Sequence, residues 1–265
     1  MKLLSIISFG VLSMSLSVES MGQGGFFAGI HASGNATIVA NQQNYGQKEM
    51  DYDGVTFHPS FGIQLGYDLN GAHLLSIGAG IQKGGQKYKD GYGNGDQLRK
   101  EIKLDYISVP VTYTHVFGGA KDPNNGTKFF ISVGPQFSLL QKSTVTHEVN
   151  GQDATLSNFA NHVAGGGAPY QFNSVELAAL TTNGDPADDK DLFQSMDVQA
   201  FLGIGIQSYL SEYLFLTLEL RGGGSITDIN ADEWQLDGYK DGKRQEYEAS
   251  RNVFGGLRIG LNYKF

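Results

Sequence analysis

The chain has 265 residues, 37 of them Gly, 6 Pro and no Cys, and carries a formal net charge of -8. A pI near 5.2 argues against a nucleic-acid partner, because phosphate binding needs a surplus of cations, and the lack of Cys excludes disulfides, thiolate metal sites and a lipid-modified N-terminal Cys. Mean hydropathy of -0.24 is too polar for a helical membrane protein but compatible with a β-barrel, where only alternate residues meet lipid.

Residues 1–22 read as a secretory signal, with Lys2 as the positive start and Leu3 to Leu16 as a short apolar stretch. Ser20 and Gly22 put small residues at −3 and −1 of a cut before Gln23. The apolar stretch is short for a span, although an uncleaved N-terminal anchor is the other reading. Residues 23–265 are then a single domain.

Eight segments follow in which successive side chains alternate between apolar and polar, the two-residue period of a strand. The first, near Phe26–Thr37, sets Phe26, Ala28 and Ile30 against Phe27, Gly29 and His31. The second, near Val55–Asp68, sets Phe61, Ile63, Leu65 and Tyr67 against Gly62, Gln64 and Gly66, and Asn70-Gly71 then makes a tight turn. The third, near His73–Tyr88, carries Leu75, Ile77, Ala79 and Ile81 on one face. In the fourth, near Leu98–Phe117, Ile102, Leu104 and Tyr106 share one parity while Ile107, Val109, Val111 and Tyr113 share the other. One inserted residue restores the facing of such a pattern, so a β-bulge is expected at Tyr106.

The fifth segment, near Lys128–Thr146, alternates Phe129, Ile131, Val133, Phe137 and Leu139 with Ser132, Gly134, Gln136 and Ser138. The sixth, near Asp191–Leu210, alternates Val198, Ala200, Leu202, Ile204 and Ile206 with Asp197, Gln199, Gly203, Gly205 and Gln207. The seventh sets Leu214, Leu216, Leu218 and Leu220 against Phe215, Thr217, Glu219 and Arg221. The eighth, Glu246–Phe265, places Leu257, Ile259, Leu261, Tyr263 and Phe265 opposite Arg258, Gly260, Asn262 and Lys264.

Connections after the second, fourth and sixth segments are short or moderate, and those after the first, third, fifth and seventh are longer and polar; 149–190 is the longest. Long alternating strands with turns sorted this way predict an all-β fold, a transmembrane antiparallel up-and-down β-barrel of eight strands. Short turns would face the periplasm and long loops, 149–190 above all, the cell exterior. Ten strands are the alternative, if Tyr170–Thr182 forms an additional arm. Tyr67, Tyr113, Tyr263 and Phe265 fall at the short-turn end and are expected to form an aromatic girdle; Tyr209 falls off register.

At Leu104-Asp105-Tyr106-Ile107-Ser108-Val109-Pro110-Val111 the chain resembles the Tyr-Leu-x-Ile-Pro strand of the PorT-like outer-membrane β-barrel family. The Gly-rich first and third strands and the aromatic Phe265 agree with that pattern. The resemblance implies a barrel of eight, sometimes ten, strands in the outer membrane of a Gram-negative cell and carries no family-wide catalytic residues. Phe265 also resembles the signal read by the barrel-assembly machinery.

Alternation alone does not say which face is inside, and a secreted lipid-carrying barrel would turn its Leu/Ile face inward. Gly on the polar face and long charge-free apolar rows favour the membrane arrangement, with outer-membrane lipid as the surrounding partner. Side chains fill an eight-stranded barrel. Glu219, Arg221 and Arg258 then need one another inside it, and Asp197 or Gln199 could join them in an ion-pair network. His58, His115, His147 and His162 are scattered among no nucleophile motif, and His147 with Glu148 reads as a solvated rim pair. Asp185, Asp188, Asp189 and Asp191 lack the spacing of a Ca²⁺ loop and read as a hydrated loop. No metal, cofactor or catalytic residue is expected. The expected role is non-enzymatic: structure, surface contact or assistance to a surface or periplasmic partner. A narrow, porin-like channel for small solutes or ions is the alternative, and a lipid-modifying or proteolytic barrel enzyme a more distant one.

Overall fold

A computed structural model describes residues 24–40, 44–45, 48–91, 95–118, 125–154, 190–232, 235, 238–240 and 243–265. The signal segment 1–22, the arm Tyr170–Thr182, His162, and Asp185, Asp188 and Asp189 of the acidic run lie outside these residues. Eight long strands carry the fold: β1 Gly25–Ala40, β2 Thr56–Asp68, β3 His73–Gly91, β4 Gln97–Val116, β5 Thr127–Val149, β6 Met196–Tyr209, β7 Leu214–Ser225 and β8 Arg251–Lys264. Each pairs antiparallel with its sequence neighbours. β1 pairs with both β2 and β8, which closes the sheet into an up-and-down barrel. Closure leaves the eight spanning strands without a free edge and satisfies their amides without water.

The outer face carries the Leu/Ile rows. Ile30, Ile63, Leu65, Ile77, Ile81, Leu202, Leu220, Leu257 and Ile259 are all exposed, which in water would be a large unexplained apolar surface. A hydrocarbon solvent accounts for it. At the short-turn end, Gly71 takes φ 77° in the turn after β2, and the Asp68 carboxylate accepts the backbone N–H of Asn70 and Gly71.

The strands reach well past the apolar belt at the other end. There the polarity reverses, because outside the bilayer the interior is dry and the exterior wet. In β4 every even-numbered residue from Leu98 to Thr112 faces inward and is buried. Leu98, Ile102, Leu104 and Tyr106 therefore enter an interior cluster with Val39, Met50, Tyr88, Val145, Leu192, Phe193 and Ile229. Ile107, Val111 and Tyr113 point to lipid on the unbroken alternate parity. The change of parity in the sequence marks the bilayer boundary.

This corrects the reason for a bulge at Tyr106. Pairing of β4 with β5 does shift between Asp105 and Tyr106, but the additional residue is Gln141 of β5, since Asp105 faces Lys142 and Tyr106 faces Leu140. Pairing of β4 with β3 is continuous past this point. The inserted residue flips β5 instead: Ser132, Gln136 and Ser138 face inward below it, and Ser143, Val145 and His147 above it.

Three expected boundaries also change. β3 and β4 extend until only 92–96 connects them, so that connection is short. β6 starts at Met196, after a 3-10 turn Lys190–Leu192 and a bridge from Phe193 to Asn230. β8 starts at Arg251, because the preceding residues bond Asp228 instead: Ser250 N–H donates to its carboxylate at 3.1 Å and Tyr247 Oη at 2.8 Å.

Candidate functional site

Among the described residues the middle of the barrel interior holds a cluster of buried charge. Inward positions of β7 and β8 bring Glu219 opposite Arg258, two residues from Arg221 on the same face. Arg221 forks onto the carboxylate, with Nε 3.1 Å from Oε1 and Nη2 3.0 Å from Oε2, and Arg258 Nη1 reaches Oε2 at 3.4 Å. Ser132 Oγ of β5 donates to Oε1 over Gly203 of the intervening strand β6. Arg258 Nη2 also donates to Gln64 Oε1 at 2.8 Å, and the Arg221 guanidinium lies 4.1 Å from the centre of the Phe201 ring. Gly203 is required beside this cluster: a Cβ there would collide with Glu219 Oε1 and Ser132 Oγ. A buried pair is stable only when further hydrogen bonds support it, and Ser132 and Gln64 supply two of them here.

Asp197 does not join that cluster. Its carboxylate accepts from neutral groups, Gln199 Nε2 at 2.6 Å, Ser225 Oγ at 2.8 Å and Asn252 Nδ2 at 2.9 Å. Gln199 is in turn bonded by Gln136, and Gln136 by way of Gln82 to Ser108, so this second network runs sideways around the wall. Tyr106 Oη is 3.1 Å from Asn252 Nδ2, at its upper edge. The lateral role of Gln82, Gln136 and Asn252 was missed in the sequence. The signal was present in their parity, which is that of Asp197's face in each strand.

Along the axis the contents are layered. At the short-turn end Phe27, Leu74, Val116, Phe130 and Phe215 close the lumen, with Tyr209 packed against them. This explains why Tyr209 is off the outer register. A buried ion pair, Lys264 Nζ to Asp68 Oδ2 at 2.8 Å, sits at the same end. The polar layers come next, and the apolar cluster around Tyr88 and Leu98 forms the far end. Two cavities of about 40 Å³ each lie on the two sides of the Glu219 cluster, both bounded by Arg221 and Arg258. Each is large enough for ordered water, which needs only about 10–15 Å³ of such space.

The structure places Tyr67, Tyr113, Tyr263 and Phe265 on the outside at the short-turn end. Phe26 meets Tyr67 with ring centres 4.9 Å apart, and Tyr263 meets Phe265 at 5.4 Å. Tyr113 Oη is 2.7 Å from His73 Nδ1.

His147 and Glu148 prove to be no rim pair. They point to opposite faces, and His147 is buried in the crown beyond the bilayer. Burial, and then the nearby Lys100 charge, hold its imidazole down to about 3. Lys100 is buried as well and held down to about 7 by desolvation. Among the described residues no group of three or more His, Asp and Glu side chains could hold a metal.

A closed eight-stranded barrel, apolar outside and filled inside, defines an outer-membrane type of protein. The family described as "Outer membrane protein beta-barrel domain" matches residues 20–231, and the chain belongs to it. Among solved structures it is similar to the Neisserial surface protein A, at 14% identity over 91% of this chain and 97% of that one, TM-score 0.41. It is also similar to the outer membrane protein OprG from Pseudomonas aeruginosa, at 11% identity over 91% and 96%, TM-score 0.39. The Escherichia coli outer membrane protease OmpT matches at 9% identity over 94% and 99%, TM-score 0.33. No curated protein is significantly similar in sequence.

Proposed function

We propose that the chain is a non-conducting, non-enzymatic barrel of the PorT-like branch. It is exported to the Gram-negative outer membrane by residues 1–22, with its long connections facing outward. Its role there is structural, or contact with a partner at the surface. The observation that supports this reading is the layered axis, in which charge and amide layers lie between two apolar clusters and the cavities beside Glu219 are only about 40 Å³ each. A path for solutes would have to displace each of these layers.

The second reading is a narrow channel, and the same two cavities favour it. Arg221 and Arg258 line both, so a rotation of the two guanidinium groups is the movement that would connect them. Planar-bilayer recording of the purified barrel in molar potassium chloride separates the two readings. The expected record is a flat baseline after insertion. Discrete, reproducible conductance steps that change in Arg221→Ala would transfer the argument to the channel.

A further inference from the structure

On the outer face of β3, β4 and β5 the apolar belt ends on Ile81, Ile107 and Leu139, each exposed. The next outward residues are Lys83, Asp105 and Lys142, aligned in one paired row. One step higher, Lys103 stands between Gly85 and Thr144. The inserted residue at Gln141 shapes this place, because it leaves Gln141 and Lys142 both exposed on the outer side.

Lys83 reaches Asp105 at 3.6 Å and Lys103 reaches Glu101 at 3.0 Å, and about half of each lysine side chain stays open to solvent. Glu101 is shared with Lys87 at 3.4 Å. Lys83, Lys87, Lys103 and Lys142 together stand against the two carboxylates of Asp105 and Glu101, a surplus of two positive charges in a chain whose total is -8. Lys103 and Lys142 are diagonal neighbours on adjacent strands, a spacing of roughly 7–8 Å that one multivalent anion spans. Long basic side chains at a bilayer edge keep their stems on apolar surface and their heads at the headgroups.

We propose that Lys83, Lys103 and Lys142 bind the phosphorylated headgroup of a membrane glycolipid whose acyl chains lie along Ile81, Ile107 and Leu139. The chemistry recognised is a phosphate monoester fixed at the level where hydrocarbon gives way to water, with the apolar rows immediately below it. The proposal rests on the reading of the belt as bilayer-facing, but the two fail differently. A barrel that enters no vesicle of any composition refutes the belt, whereas one that enters all vesicles without preferring a phosphorylated headgroup refutes the patch.

The test uses the whole barrel in dodecyl maltoside micelles. Native mass spectrometry follows titration with bisphosphorylated lipid A, with the same lipid stripped of phosphate, and with inorganic pyrophosphate alone. The expected result is a retained adduct with the phosphorylated lipid, one at least tenfold weaker with the stripped lipid, and none with pyrophosphate. In Lys103→Gln combined with Lys142→Gln, affinity for the phosphorylated lipid falls about thirtyfold, from roughly 1 kcal/mol per cation near an anionic surface. Lys87→Gln with Lys89→Gln, further from the belt, changes it less than threefold. Equal retention of the stripped lipid, an unchanged double variant that runs folded on an unheated gel, or a pyrophosphate adduct of similar strength would each overturn the proposal.

Discussion

Glu219 is held by two guanidinium groups and a serine in the barrel interior, so its charge is matched by neighbouring side chains rather than left to solvent. Removing one member of such a set costs about 3–5 kcal/mol, because the other charges stay buried without it. Glu219→Gln is therefore expected to lower the stability of the barrel in lipid vesicles by roughly that amount, read from the urea midpoint. A double-mutant cycle on Glu219 and Arg258 should return a coupling of at least about 1 kcal/mol. Strict additivity would show that the pair is a neighbourhood without an interaction. Asp197 should behave differently. It is bonded by amides and hydroxyls, and its substitution should be additive with changes at Arg258.

At the level of the strand, one added residue decides which way an entire arm faces. Gln141 sets the parity of Ser143, Val145 and His147, and its deletion would turn all three outward or slide the arm against β4. We expect the deletion to abolish amide protection in 143–147 while leaving 129–139 protected in hydrogen exchange read by mass spectrometry. Equal protection of both halves would mean that the arm is fixed by something other than register. The strands themselves could be read from the sequence because period-two alternation survives wherever one face meets lipid. The bulge could not be assigned to the right strand. Hydrophobicity in β4 changes sides at the bilayer boundary, and this imitates an inserted residue between Tyr106 and Ile107. The same reversal hid His147, which looks like a rim residue only if apolar neighbours are assumed to face outward. The trio Glu219, Arg221 and Arg258 was visible because three charges share a parity on two strands predicted to be adjacent. Asp197 shares that parity too, but its height along the axis depends on the stagger between strands.

As a whole the molecule has two differently solvated parts, a belt kept in place by lipid and a crown that must build its own dry interior around Tyr88, Leu98 and Ile102. The crown holds His147 and Lys100 in disfavour of their charged forms. For both groups the folded pKa lies below the free value, so the opened crown binds more protons and stability rises with pH. The windows are about 3 to 6.5 for His147 and about 7 to 10.5 for Lys100. Acidification below pH 6.5 is thus expected to loosen the crown while the belt persists, seen as loss of the Val145 methyl resonance with far-ultraviolet dichroism unchanged. His147→Asn should flatten that acid response. A response of the same midpoint and size in the variant would assign it elsewhere.

The arm formed by β3, β4 and β5 runs some ten residues beyond Ile81, which at about 3.3 Å per residue and a tilt near 40° lifts its tip roughly 25 Å above the hydrocarbon. That height exceeds the thickness of a simple lipid headgroup layer. A visitor arriving from the medium would meet a stiff, hydrogen-bonded mast before it met any sugar or phosphate. The molecule can thus display whatever is carried at the masthead without relying on a floppy tether.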